Sequence, residues 1–119
     1  MPFKKELTEL MERVPGVLGV IIADWEGEAV DQVARMDEYD LKLHGAHGGV
    51  ILNNMREIVR RLNDDELQEI VMTAETLRTL MIPVTPDYYL VVALDRSGSL
   101  GQALHAARHC AEIVRRDIL

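Results

Sequence analysis

Residues 17–23 run Val17-Leu18-Gly19-Val20-Ile21-Ile22-Ala23, with no polar side chain on either of the two alternating faces. A β-branched run of this kind is a strand covered from both sides. Tyr88 to Leu94 repeats the pattern far downstream. Two such strands in one sheet require a packing layer above it and another below, and the remaining segments have to supply both.

Upstream of the first run, Phe3, Leu7, Leu10, Met11 and Val14 recur at helical spacing. Pro2 suits a first-turn position, and Pro15-Gly16 stops the helix. Downstream, Asp24-Trp25-Glu26-Gly27 is a turn, and Glu28 to Arg35 alternates as an outer antiparallel strand. Asp37 is the expected N-cap of a long helix reaching to about Leu62. Glu38 and Asp40 lie in its first turn and Arg60 and Arg61 in its last, which complements the helix dipole. After Asn63-Asp64-Asp65 come two β-type runs, Leu67 to Ala74 and Thr76 to Ile82, and Pro83 and Pro86 mark a loop before Tyr88. Asp95-Arg96-Ser97-Gly98 forms a turn, and Ser99 with Gln102 fits a capping box. The last helix carries Leu100, Ala103, Leu104, Ala107, Ala111, Val114 and Ile118 on one stripe. The order αββαβββα, with strands in sequential runs split by one helix, favours an antiparallel sheet. The expected fold class is α/β (α+β): a three-layer sandwich with a central five-stranded antiparallel sheet. Its 119 residues make one domain, 1–119.

Composition narrows the function classes. A formal net charge of −7 and 4% aromatics argue against nucleic-acid binding, which calls for a basic surface and often stacking rings. No apolar run approaches the ~20 residues of a membrane span. Cys110 is the one cysteine and forms no intrachain disulfide, and Met1-Pro2-Phe3-Lys4-Lys5 does not resemble a signal peptide, so a cytoplasmic location is expected.

At about 100° per residue the long helix shows two apolar surfaces. The main one, Leu41, His44, Gly48, Ile51, Leu52, Met55, Ile58, Val59 and Leu62, has the width of a core-facing stripe. A second cluster, Leu43, Ala46 and Val50, sits well away from it, flanked by Gly45 and Gly49. Each helical glycine costs about 1 kcal/mol relative to alanine, so the expectation is that these let a second subunit's backbone approach. Lys42, Asn53, Arg56 and Arg60 extend the exposed side.

No active site is legible, and neither cofactor nor metal is expected. His44 with His47, and His105 with His109, have chelating spacings, but no HExxH motif or further ligand completes either pair. His44 falls on the apolar stripe as a core histidine. Cys110 points about 100° from His109 and reads as a small buried hydrophobe. Gly45-Ala46-His47-Gly48-Gly49 is glycine-rich without the GxxxxGK[ST] of a phosphate loop. The turn Ser97-Gly98-Ser99, opening the last helix, leaves an alternative function as a small-molecule or anion sensor. Seven carboxylates between Asp24 and Asp40 face one cation, Arg35: a solvated acidic edge, or a device for steering a basic partner.

Three stretches, Val14-Pro15-Gly16-Val17-Leu18-Gly19-Val20, Asp24-Trp25-Glu26-Gly27 and Ser99-Leu100-Gly101-Gln102, precede an Ala- and Arg-rich last helix. Together they resemble the Roadblock family, especially its bacterial MglB-like members, over essentially the whole chain. The order of elements is also that family's order. The resemblance implies a roadblock/profilin-like fold and a homodimer in which the long helices pair and the third strands join two sheets. It places Leu43, Ala46 and Val50, with Ile70 and Met72 of the third strand, in the dimer interface. It also implies a small Ras-like GTPase as partner, regulated without a catalytic group from this chain. Lys42, Asn53, Arg56 and Arg60 are the candidate partner-binding residues. Ser99 stands where the family often has Asn, and either residue caps a helix.

Overall fold

The computed structural model describes residues 3–118, apart from the side chain of Asn63. Eight elements follow in the expected order: α1 (Lys4–Arg13), β1 (Val17–Asp24), β2 (Ala29–Ala34), α2 (Glu38–Asn63), β3 (Ile70–Thr73), β4 (Leu77–Pro83), β5 (Tyr88–Asp95) and α3 (Leu100–Ile118). Pro2 lies outside the described residues. All five strands form one antiparallel sheet in the order β2-β1-β5-β4-β3. The two strands apolar on both faces are adjacent, with Ile21 opposite Val91 and Ile22 opposite Leu90.

Alternation along these strands divides the interior into two cores. Val20, Ile22, Leu80, Ile82, Leu90, Val92 and Leu94 pack against α1 and α3. Ile21, Ala23, Met81, Tyr89 and Val91 face α2, where Leu41 and Leu52 close the second core. Val17 joins the first group despite its odd number. A register shift between Val17 and Gly19 inserts one residue and turns the face over.

The ends of the helices follow local chemistry. The Asp37 carboxylate accepts the Asp40 N–H at 3.0 Å and caps α2. At the other end Asp64 turns left-handed (φ 52°) and returns its N–H to the Arg60 carbonyl. Ser99 Oγ accepts the Gln102 N–H at 3.2 Å to open α3. Gly27 closes the β1–β2 turn at φ 89°, a conformation that costs glycine little.

β3 is shorter than the expected Leu67 to Ala74. Only Ile70–Thr73 pair with β4, and β3 is the outermost strand. The preceding segment is held by side chains instead: Arg108 donates to both Glu69 carboxylate oxygens, from Nε at 2.7 Å and from a terminal nitrogen at 2.5 Å.

Candidate interaction surface

The second helix lies lower on the sheet than its apolar pattern suggests. Gly45, Gly48 and Gly49 are buried, and each faces this chain's own sheet. A Cβ at Gly45 would stand 3.1 Å from Ile21, and one at Gly48 would stand 2.9 Å from Val91. One at Gly49 would collide with the Tyr89 phenol. The expectation that these glycines admit a second subunit's backbone is therefore corrected. They admit β1 and β5. Tyr89 is fully buried in the resulting gap and donates its hydroxyl to the Gly45 carbonyl at 2.6 Å. Burial, reinforced by the nearby Asp24 charge, pushes its pKa up to about 12.

The core stripe changes accordingly. Leu41, Gly45, Gly48, Gly49 and Leu52 form the buried line of α2. Met55, Ile58 and Leu62, expected in the core, are exposed, Leu62 by 72%. The 26-residue helix is about 39 Å long, whereas the eight-residue strands beneath it reach about 27 Å. Leu41 lies over Gly19, Gly45 over Ile21 and Arg56 over Trp25, past the end of β1. The last turns overhang the sheet. His44 is half-buried rather than a core residue.

Among the described residues seven large apolar side chains are exposed: Tyr39, Leu43, Val50, Met55, Ile58, Leu62 and Met72. Six are on α2, and the seventh is on the edge strand β3. Soluble surfaces tolerate single exposed apolar residues, but a concentration of six on one helix marks an interaction surface. Among the residues expected at a dimer contact, Leu43, Val50 and Met72 are thus exposed. Ala46 is half-buried against the Gly27 turn, and Ile70 is half-buried against the second core.

The expected cationic line is more structured than a row of free charges. Lys42 and Asn53 are exposed, and Arg60 sits 3.6 Å from Glu66. Arg56 is half-buried, with its guanidinium stacked 4.0 Å from the Trp25 ring centre. Trp25 in turn packs on Tyr89, with centroids 5.0 Å apart and planes tilted by 46°. The buried Nε of Arg56 and Nε1 of Trp25 have no hydrogen-bond partner among the described residues. Trp25 is a functional candidate that sequence reasoning placed only in a turn.

The other candidates resolve simply. Among the described residues no group of three or more His, Cys, Asp or Glu is placed to hold a metal ion. Cys110 is buried, its thiol pushed up to about 12 by burial and by Glu6 and Glu9. Asp31, one of the seven acidic-edge carboxylates, is buried and paired with Lys4 at 3.1 Å. In the turn before α3, Asp95 accepts the Ser97 N–H and hydroxyl at 2.9 and 3.0 Å, and its backbone carbonyl accepts the Gly98 N–H. These bonds hold the Asp95 carboxyl below its usual range. The Asp95 carboxylate thus takes the Ser97 amide and its backbone carbonyl the Gly98 amide. No described helix is long and apolar enough to cross a membrane.

Comparison with curated proteins gives no match. Solved structures do match. A Roadblock/LC7 domain from Streptomyces avermitilis superposes with TM-score 0.87 at 14% identity, covering 96% of this chain and 95% of that one. Myxococcus xanthus MglB superposes at 0.85 with 15% identity over 99% and 98%. MglC from the same organism reaches 27% identity over 98% and 99%, at TM-score 0.72. The family model for the Roadblock/LC7 domain matches residues 3–94, from the start of α1 almost to the end of β5. The chain belongs to the Roadblock/LC7 family.

Proposed function

We propose that this protein is a non-catalytic homodimeric platform that binds and regulates a small Ras-like GTPase in the cytoplasm. The observation that carries the reading is the concentration of exposed apolar side chains on α2 and β3. Their burial against a second copy would remove the largest solvation cost on this surface. The open edge of β3 offers unpaired backbone groups to the same neighbour. The GTPase enters through the family, with MglB and MglC among the structural relatives. MglB has also been solved in a tetrameric arrangement, which supports assembly as a property to expect here. Lys42, Asn53, Arg56 and Arg60 lie along one flank of α2 and are assigned to the partner. The sensor alternative is disfavoured by Asp95, whose carboxylate holds the Ser97 amide and sets a negative charge beside the turn.

Sedimentation of the wild type and of Val50→Glu, followed by calorimetric titration with a small Ras-like GTPase from the same genome, tests both halves. The wild type should be a dimer at micromolar concentration and the variant largely a monomer. The GTPase should bind the dimer in one nucleotide state more tightly than in the other. A monomeric wild type removes the dimer, and a GTPase that does not bind removes the platform.

A further inference from the structure

Three of the chain's ten arginines, Arg56 and Arg60 of α2 and Arg115 of α3, line one open cleft of about 260 Å³. Among the described residues the single carboxylate lining it is Glu66, in a protein whose net charge is −7. Pro83 and Pro86 supply an apolar wall from the β4–β5 loop. Two further clefts abut this one. The first shares Arg56 and Pro86 and is lined by Asp24, Glu26 and Asp87. The second shares Pro83 and Arg115 and contains Glu69 and Glu112. A continuous groove therefore crosses this end of the molecule, cationic in the middle, acidic at the Asp24 end and neutral at the other, where Arg108 and Arg115 pair with Glu69 and Glu112.

We infer that the groove binds an extended peptide segment with acidic residues at its centre and a basic residue toward the Asp24 end. The segment belongs to the docked protein, so this inference rests on the platform reading and names the chemistry of the contact. Guanidinium groups meet carboxylates in a planar fork of two hydrogen bonds, a geometry that lysine does not reproduce. Present partners take up only part of that capacity: Arg115 pairs with Glu112 on its own helix at 2.9 Å, both side chains being half-exposed. Arg60 and Glu66 are both half-exposed and 3.6 Å apart, which makes a weak pair that exchanges readily. Arg56 has no carboxylate partner among the described residues: it bonds Asn53 at 3.2 Å, and its Nε is unpartnered. The proline wall and the groove's length favour a peptide over a free anion, which would use only the central charges.

The full chain titrated with a fluorescein-labelled peptide, Lys-Leu-Glu-Glu-Leu-Lys, tests this directly. Anisotropy should show saturable binding that weakens with salt. Emission from Trp25, the one tryptophan, should change as Arg56 is drawn from its ring. Arg56→Gln with Arg115→Gln should weaken binding tenfold or more, whereas Arg78→Gln, on β4 outside the groove, should leave it unchanged. If the double variant melts early, Arg115→Gln alone should still show a several-fold loss. Absent binding, equal binding by the double variant, or an equal affinity for inorganic phosphate overturns the inference. Parallel titration with the GTPase separates the two readings. A GTPase that ignores the wild type sinks the platform, and one that binds wild type and double variant alike sinks only the groove assignment.

Discussion

At Gly48 an added Cβ would stand 2.9 Å from Cγ2 of Val91, and at Gly49 it would fall against the Tyr89 hydroxyl and ring. Neither neighbour can retreat easily, because both are fully buried in the packed second core. Gly49→Ala gains about 1 kcal/mol of helix propensity but loses about 1–3 kcal/mol to overpacking. The expected outcome is a net loss, seen as a melting temperature lowered by several degrees, and an unchanged or raised value would show that α2 can lift. Tyr89 and Cys110 carry a second prediction. Their folded pKa values lie near 12, above ordinary values of 10.0 and 9.0. Their neutral forms therefore add stability that is complete below about pH 9 and is lost as pH rises toward 12. Urea midpoints should hold steady to pH 9 and then fall. Cys110→Ala should flatten the earlier part of that fall, and a midpoint constant through pH 11 would refute the assignment.

Among the elements, α2 shows most clearly what a sequence pattern conceals. Its period, N-cap and length were all legible, because Asp37, Glu38 and Arg61 speak in local chemistry. Its orientation was not. Three of its five buried positions are glycines, which contribute nothing to an apolar count. Met55, Ile58 and Leu62 are apolar yet exposed, and so widen the apparent stripe in the wrong direction. A periodicity argument assumes that apolar means buried within the same chain, and an interaction surface breaks that assumption. The cap itself is open to test. Asp37→Ala removes the acceptor of the Asp40 N–H and should cost about 1 kcal/mol in chemical denaturation. A loss of a few tenths would mean that the helix start is held by packing of Leu41 instead.

For the molecule as a whole, two strands apolar on both faces were enough to require three layers, and the layers are there. The Arg56–Trp25 stack was out of reach. Its partners are 31 residues apart, and no local rule sets a turn tryptophan under a helical arginine. The sheet order has a further consequence, in time rather than in space. β1 lies between β2 and β5, and Ile21 pairs with Val91, seventy residues later in the chain. At roughly 5–20 residues per second, β1 leaves the ribosome about 4 to 14 seconds before its central partner. During that interval its only available strand partner is β2, although α1 and α2, which cover its two faces, are both made before β5. Nascent chains therefore carry one open hydrogen-bonding edge of β1 until β5 is made, and the sheet cannot be completed from the N-terminus onward.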